Sequence, residues 1–161
     1  MKVIDNFLDS KDFKYIKDHF SENKFPWYWQ EKSSIYENDF WQFSHNLYQN
    51  GKEIGSLSFP VIIPLLKKIQ MSALGRAKIN CNPQTEKIIE TGYHNDENDS
   101  RFYSSVFFLN TCDGYCKVGD KKIFSEENRL LTFKSDIIHT GSTTTNAKRR
   151  LVISVIYLPV L

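Results

Sequence analysis

His94-Asn95-Asp96 sets an imidazole and a carboxylate two residues apart. In an extended segment such residues point to the same side of the chain, so both side chains can reach one point in space. His139 supplies another imidazole from a distant segment, and Arg149-Arg150 heads the apolar run Leu-Val-Ile-Ser-Val-Ile-Tyr. Two imidazoles and one carboxylate cover one face of an octahedral metal ion and leave three positions for exchangeable ligands. An arginine beside such a centre adds a planar cation that can grip a carboxylate through two parallel hydrogen bonds. Arg149 and Arg150 are neighbours on an expected strand, so they point to opposite faces and only one can enter a shared pocket.

The order His94-x-Asp96, His139, Arg150 resembles the motif of the Fe(II)/2-oxoglutarate-dependent dioxygenases. The resemblance is strongest to the prolyl-4-hydroxylase-like branch and to small oxygenases of the kind found in phage genomes. Arg101 to Asn110, Arg-Phe-Tyr-Ser-Ser-Val-Phe-Phe-Leu-Asn, resembles the strand ending in Tyr-Leu-Asn that follows the His-x-Asp pair in that branch. Asn80-Cys81-Asn82-Pro83 stands where those enzymes often carry Asn-x-Tyr-Pro. Residues 76 to 159, half of the chain, carry the likeness.

The resemblance implies that His94, Asp96 and His139 hold Fe(II) as the catalytic centre, with 2-oxoglutarate as cosubstrate and dioxygen as oxidant. Its chemistry would release succinate and carbon dioxide while hydroxylating a C–H bond of a prolyl, peptidyl or small-molecule substrate. Asp96 bears on reaction type, because related halogenases carry a small residue in place of the carboxylate. Arg150 is the expected clamp for the far carboxylate of 2-oxoglutarate. Ser154 follows it by four residues on the same face, a spacing at which the branch carries a hydroxyl residue, and Arg149 would then face outward. Two departures shift the expected cosubstrate contacts: Phe108 replaces a common tyrosine before Leu-Asn, and Asn82 replaces the tyrosine of Asn-x-Tyr-Pro. Asn80 or Asn82 would then hold the C1 end, and Ser104 or Tyr103 the remainder. The branch's glycine pair after this strand is also missing, with Asp113-Gly114 nearby. Tyr93, Arg101 and Trp27 are expected to line the substrate pocket.

Two other readings are weighed. A nucleic-acid dealkylase of the same superfamily typically has a second arginine six residues after the first, where this chain has Ile156 and Tyr157. A catalytically silent β-helix module binding a partner or a carboxylate would need no metal chemistry, yet every ligand and the arginine are present. The net charge of +2 argues against a nucleic-acid or membrane-surface partner. The start, Met-Lys-Val-Ile-Asp, lacks the apolar core of a signal peptide, and no window reaches a transmembrane length. The expected location is the cytoplasm, or the host cytoplasm for a phage-encoded chain. Three cysteines, Cys81, Cys112 and Cys116, fit reduced thiols better than a disulfide framework or a zinc site.

The elements that must position these residues follow from pattern. A chain of 161 residues, 40% hydrophobic and 14% aromatic, has the size of one domain with a β-rich core. Val3 to Leu8 reads as a strand or entry segment, and Asp9 or Ser10 can cap a helix whose Phe13, Ile16 and Phe20 share one face. Phe25 to Trp29, broken by Pro26, reads as a β-edge or a pocket wall. Residues 31 to 55 are polar with scattered aromatics and are expected to be irregular. Pro60 to Met71 reads as a second helix with both prolines in its first turn, and Arg76 to Asn82 as a strand ended by Pro83. Strand composition recurs at 102–109, 115–118, 121–124, 130–133 and 149–158, with Gly119-Asp120 as a tight hairpin turn. Short strands after two helices imply a mainly β (α+β) fold, a double-stranded β-helix or jelly roll with an N-terminal helical cover. The expected domain is single, 1–161, with cover and brace at 1–75 and the site-bearing core at 76–159.

Overall fold

In the computed structural model, which describes residues 1–32, 40–54 and 57–160, two long strands dominate. They are β5 (Met71–Pro83) and β11 (Arg149–Pro159), and they pair antiparallel from Arg149↔Pro83 to Pro159↔Met71. Around them lie β1 (Lys2–Ile4), β2 (Tyr28–Gln30), β3 (Gln42–Gln49), β4 (Lys52–Glu53), β6 (Tyr103–Phe108) and β9 (Arg129–Lys134). The larger sheet runs β1-β9-β6-β11-β5-β3-β2, with β4 on β3. A smaller sheet is built from β7 (Tyr115–Val118), β8 (Lys121–Phe124) and β10 (His139–Gly141), in the order β10-β7-β8. Every strand pair is antiparallel, and the two sheets form the double-stranded β-helix expected from the sequence.

The alternation of side chains along a strand divides the large sheet into two unlike faces. Ala77, Ile79 and Cys81 of β5, Leu151, Ile153 and Val155 of β11, and Phe107 of β6 lie in one apolar cluster with Ile16, Phe20 and Leu65. Those last residues come from α1 (Ser10–Ser21) and α2 (Ile63–Ile69), which form the helical cover. Asp9 caps α1 by accepting the Asp12 amide at 2.9 Å. On the opposite face Val106, Phe108, Val152, Leu131 and Phe133 pack with Cys116 and Val118 of the small sheet. This second core is smaller, because Lys78, Asn80, Asn82, Arg150 and Ser154 interrupt it and line a cavity instead.

Three expectations need correction. The stretch 31–55 is not irregular where it is described. Gln42–Gln49 is a full strand hydrogen-bonded between β2 and β5, and it turns through Asn50-Gly51 into β4. Asn50 and Gly51 both have positive φ, 54° and 75°, the backbone of a tight hairpin turn. The polar composition arose because Gln42, Ser44 and Asn46 occupy the face that lines clefts while Phe43 and Leu47 pack into the core. Residues 33–39 and 55 of that stretch lie outside the described residues. The second helix is a 3-10 turn, Pro60–Ile62, followed by α2, and Gln70 in the left-handed region at φ 52° ends it. The chain therefore enters β5 at Met71, five residues before the expected start at Arg76. Phe25 to Trp29 takes the β-edge reading: Tyr28–Gln30 forms β2 at the sheet's edge, and Trp27 packs against the main core.

Candidate metal centre and its cavity

His94 and His139 are fixed to each other through the backbone. The His94 amide donates to the His139 carbonyl at 2.9 Å, and the His139 amide donates back at 2.8 Å, an isolated antiparallel bridge that holds the two rings 4.4 Å apart. Each ring is also oriented by a carbonyl two residues upstream. Nδ1 of His94 lies 3.2 Å from the Gly92 oxygen, and Nδ1 of His139 lies 3.0 Å from the Ile137 oxygen. A carbonyl can only accept, so Nδ1 carries the proton and Nε2 presents its lone pair, the tautomer a metal requires. Burial and the neighbouring His139 lower the His94 pKa despite the opposing pull of Asp96, which favours the neutral ring.

Asp96 is held from three sides. Its amide donates to the Ser135 carbonyl at 3.0 Å, Arg76 Nη2 donates to Oδ1 at 2.8 Å, and Ser104 Oγ donates to Oδ2 at 2.6 Å. Burial pushes its carboxyl up, but His139, Arg76 and the Ser104 hydrogen bond outweigh it and keep the group ionised. His139 Nε2 lies 3.5 Å from Oδ2. One ligand atom from each of His94, Asp96 and His139 falls within 4.8 Å of the others, a spacing that admits a metal ion between them. Among the described residues, no other group of three metal-ligating side chains lies so close together.

All three line a cavity of about 60 Å³ that also holds Asn80, Asn82, Arg150 and Ser154. Cross-strand register explains why these come together, since Asn82↔Arg150, Asn80↔Val152 and Lys78↔Ser154 are direct partners on one face. Arg150 is 2% exposed. Its Nε donates to Ser125 Oγ at 2.8 Å, and Nη1 lies 3.5 Å from Asn82 Oδ1 and 3.4 Å from the Ser142 carbonyl. All of these acceptors are neutral, and no carboxylate of the described residues pairs with the guanidinium. A buried cation without an anion is costly, so the site is built to receive one. Arg149 turns to the other face and donates to the Ser21 carbonyl at 2.8 Å. Gly114 leaves room for Arg150: a Cβ there would sit 2.6 Å from Arg150 Cδ and 2.6 Å from the Thr143 oxygen.

Asn80 and Ser154 also reach the cavity, 3.5 Å apart through Asn80 Nδ2 and Ser154 Oγ. Asn80 Oδ1 is buried without a hydrogen-bond partner. Turning the amide over would let its oxygen accept from Ser154 and point the amide hydrogens at a cavity anion. Ser104 is placed differently from the expectation. It bonds Asp96 and Ser135 and does not line the cavity, so it braces the carboxylate and is not positioned to touch a cosubstrate.

The three expected substrate-pocket residues do not line the cavity. Trp27 is half-buried, packing against the main core with its ring 4.8 Å from that of Phe25. Arg101 is exposed and folds back on Asp99 through Nε and Nη2, since a nearby carboxylate in a polar turn is its closest partner. Tyr93 points to the surface, where its hydroxyl bonds Glu90 and accepts from Lys117. Residues next to the motif are not thereby next to the ligand, because neighbours on an extended chain face opposite ways.

Several residues of the site were missed in the sequence. Arg76 and Lys78 share the parity of Asn80 and Asn82 along β5, and that period of two was the available signal. Gln42, which accepts from Asn82 Nδ2 at 3.3 Å, was hidden in the stretch read as irregular. Thr91, Cys116 and Gly141 also line the cavity. Burial pushes the Cys116 thiol up to about 12, so it remains protonated and apolar in character. All three cysteines are free and buried.

No protein-family model matches the sequence, and no curated protein does. Solved structures match across nearly the whole chain. A non-haem α-ketoglutarate-dependent carbocyclase of nogalamycin biosynthesis, SnoK, is similar at TM-score 0.70 and 11% identity, over 98% of this chain and 78% of the other. An oxidoreductase of the 2OG-Fe(II) oxygenase family from Burkholderia pseudomallei matches at TM-score 0.68 and 13% identity, over 96% and 82%. A Pseudomonas putida prolyl-4-hydroxylase matches at TM-score 0.62 and 13% identity, over 98% and 91%. The chain has the double-stranded β-helix fold of the Fe(II)/2-oxoglutarate-dependent oxygenases, prolyl hydroxylases among them, and its His94-Asp96-His139 cluster opens into a cavity between the two sheets.

Proposed function

We propose that the chain is an Fe(II)- and 2-oxoglutarate-dependent dioxygenase that hydroxylates a C–H bond of a small-molecule or peptidyl substrate, with release of succinate and carbon dioxide. The observation that carries this reading is the sharing of one cavity by a two-histidine, one-carboxylate cluster and a buried arginine that has no anionic partner among the described residues. The donor set suits Fe(II), because two neutral imidazoles and a carboxylate leave open positions for a chelating cosubstrate and for oxygen. Iron and 2-oxoglutarate would together supply the oxidising chemistry, and the protein supplies placement.

Within that reading each side chain has a defined task. His94, Asp96 and His139 hold the metal, with their orientations set beforehand by Gly92, Ile137, Arg76 and Ser104. Arg150 receives the far carboxylate of 2-oxoglutarate, with Ser125 and Asn82 fixing the guanidinium plane. Asn80, Asn82 and Ser154 supply further hydrogen bonds to the cosubstrate. Phe133, 4.7 Å from the His139 ring, and Val106 and Val152 keep the metal side of the cavity apolar and limit water.

The test is to add Fe(II) and 2-oxoglutarate to the protein without oxygen and record the visible charge-transfer band. A band in wild type that is lost in His94→Ala, and weakened in Arg150→Ala but recovered at high 2-oxoglutarate, is the expected result. Absence of any band and of any metal dependence in wild type would favour a silent binding module.

A further inference from the structure

A second cavity, of about 330 Å³, lies between the end of α1 and the edge strands β2 and β3. It is on the other side of β3 from the metal site. Gln42 and Ser44 face the clefts on the metal side, whereas His45, one residue further on, faces this cavity. Phe25, Tyr28 and His45 form an aromatic wall, with ring centroids 4.9 Å apart for Phe25 and His45 and 5.4 Å for Tyr28 and His45. His19 closes one side, with its Nε2 3.1 Å from Ser58 Oγ. Tyr28 and Leu57 are exposed and form the rim.

His45 is only 6% exposed, and the polarity of its ring is set from behind. Nδ1 lies 2.9 Å from the Pro26 carbonyl, which can only accept, so Nδ1 carries the proton and Nε2 of the neutral ring presents a lone pair. No described residue donates to that lone pair. Among the described residues, the buried side-chain nitrogens and oxygens without a partner are Trp27 Nε1, Arg76 Nε and Asn80 Oδ1. His45 Nε2 is therefore not sealed in protein. It borders open space, and the open space at His45 is this cavity.

We propose that this cavity binds a small, planar, uncharged molecule with an aromatic body and one N–H or O–H donor. The inference goes beyond the oxygenase reading and does not depend on it. Aromatic walls favour a flat ring, which they can meet edge-on or offset-stacked. The bare Nε2 asks for a donor and repels a ligand that offers only lone pairs. Among the described lining residues the Glu22 carboxylate and the Lys24 ammonium cancel in net charge, so nothing there selects an ion. The volume stands at the low end of the roughly 300–1,000 Å³ typical of ligand pockets, which suits one or two fused rings.

The experiment compares indole with 1-methylindole, which differ by the one N–H, on the full chain at pH 8, with Kd measured by saturation-transfer NMR. Wild type is expected to bind indole about five- to tenfold more tightly, the worth of one hydrogen bond. His45→Phe keeps a ring and removes the acceptor, so the difference between the probes should vanish. Tyr28→Ala strips an exposed wall at the rim and should weaken both probes by a similar factor, with the thermal transition unchanged. No binding of either probe to wild type, equal affinity for the two, or a preference for indole that persists in His45→Phe overturns the proposal. If His45→Phe loses its cooperative transition, Tyr28→Ala decides: weakened indole binding supports the site, and unchanged binding removes it.

Discussion

The two faces of the large sheet are made by the same strands and differ by one residue of register. On β11, Leu151, Ile153 and Val155 face the helices in a continuous apolar core, while Arg150, Val152 and Ser154 face the cavity. On β5, Ala77, Ile79 and Cys81 alternate with Arg76, Lys78, Asn80 and Asn82 in the same way. Stability is thereby concentrated on one face and chemistry on the other. The arrangement allows a buried arginine and an Asn80 carbonyl oxygen without a hydrogen bond to persist, because the helix-covered face supplies the burial that offsets their cost.

This division predicts that changes on the two faces have separable effects. On the cavity face, Asp96→Ala and His139→Ala should lower succinate formation by on the order of 10³-fold or more, equivalent to about 4 kcal/mol. A cooperative thermal transition should persist in both, and full activity in either would break the assignment of the metal ligands. On the helix face, Phe107→Ala should do the opposite. Phe107 is fully buried and meets Phe7 and Phe13 edge-on, so urea denaturation should show a loss of about 3–5 kcal/mol, with 2-oxoglutarate affinity unchanged while the protein is folded. Arg150→Lys retains the charge but loses the planar fork, and an increase of about 10-fold in the KM for 2-oxoglutarate is expected. Gly114→Ala sharpens the comparison, because its Cβ meets both Arg150 and the Thr143 backbone. It should cost about 1–3 kcal/mol in stability and also weaken 2-oxoglutarate, a coupling that Phe107→Ala should not show.

The smallest effect concerns Asp113, away from both faces. Burial pushes its carboxyl up, but hydrogen bonds from Thr145, Thr144 and nearby backbone amides bring it down to about 2. A folded value below the unfolded one means that the stabilisation is present above about pH 4 and disappears as pH falls toward 2. Asp113→Asn should flatten that limb of an acid-unfolding curve, and an unchanged curve would show that the loop bonds do not contribute.

What was legible in the sequence tracks how local each signal is. His94 and Asp96 were readable as a pair because two residues suffice to put both on one side, and β11 because its run of apolar, largely β-branched residues is broken only by Ser154. The hairpin at Gly119-Asp120 was readable because turn chemistry is confined to the turn. Asn50-Gly51 carried a hairpin signal of equal strength, but the cleft-facing polar residues of Gln42–Gln49 masked the strand leading into it. Trp27 and Arg101 were misplaced for a different reason. Their positions depend on contacts with Phe25 and Asp99 and on which way each side chain leaves the backbone, which composition does not encode. Ser104 was near the right place with a different task, because touching a ligand and bracing its holder require the same hydroxyl.

The reciprocal bond between the His94 and His139 backbones has a consequence for the life cycle of the centre. Small zinc domains acquire their shape when the ion arrives, so ion uptake and chain ordering are one event. Here the two imidazoles are cross-tied through main-chain atoms, and the chain need not reorganise to accept an ion. Any ion that lodges between them can leave and be replaced on a chain that stays folded. Occupancy would then follow the supply of free ion in the surroundings, and a chain stripped by a chelator should regain its complement on simple remixing.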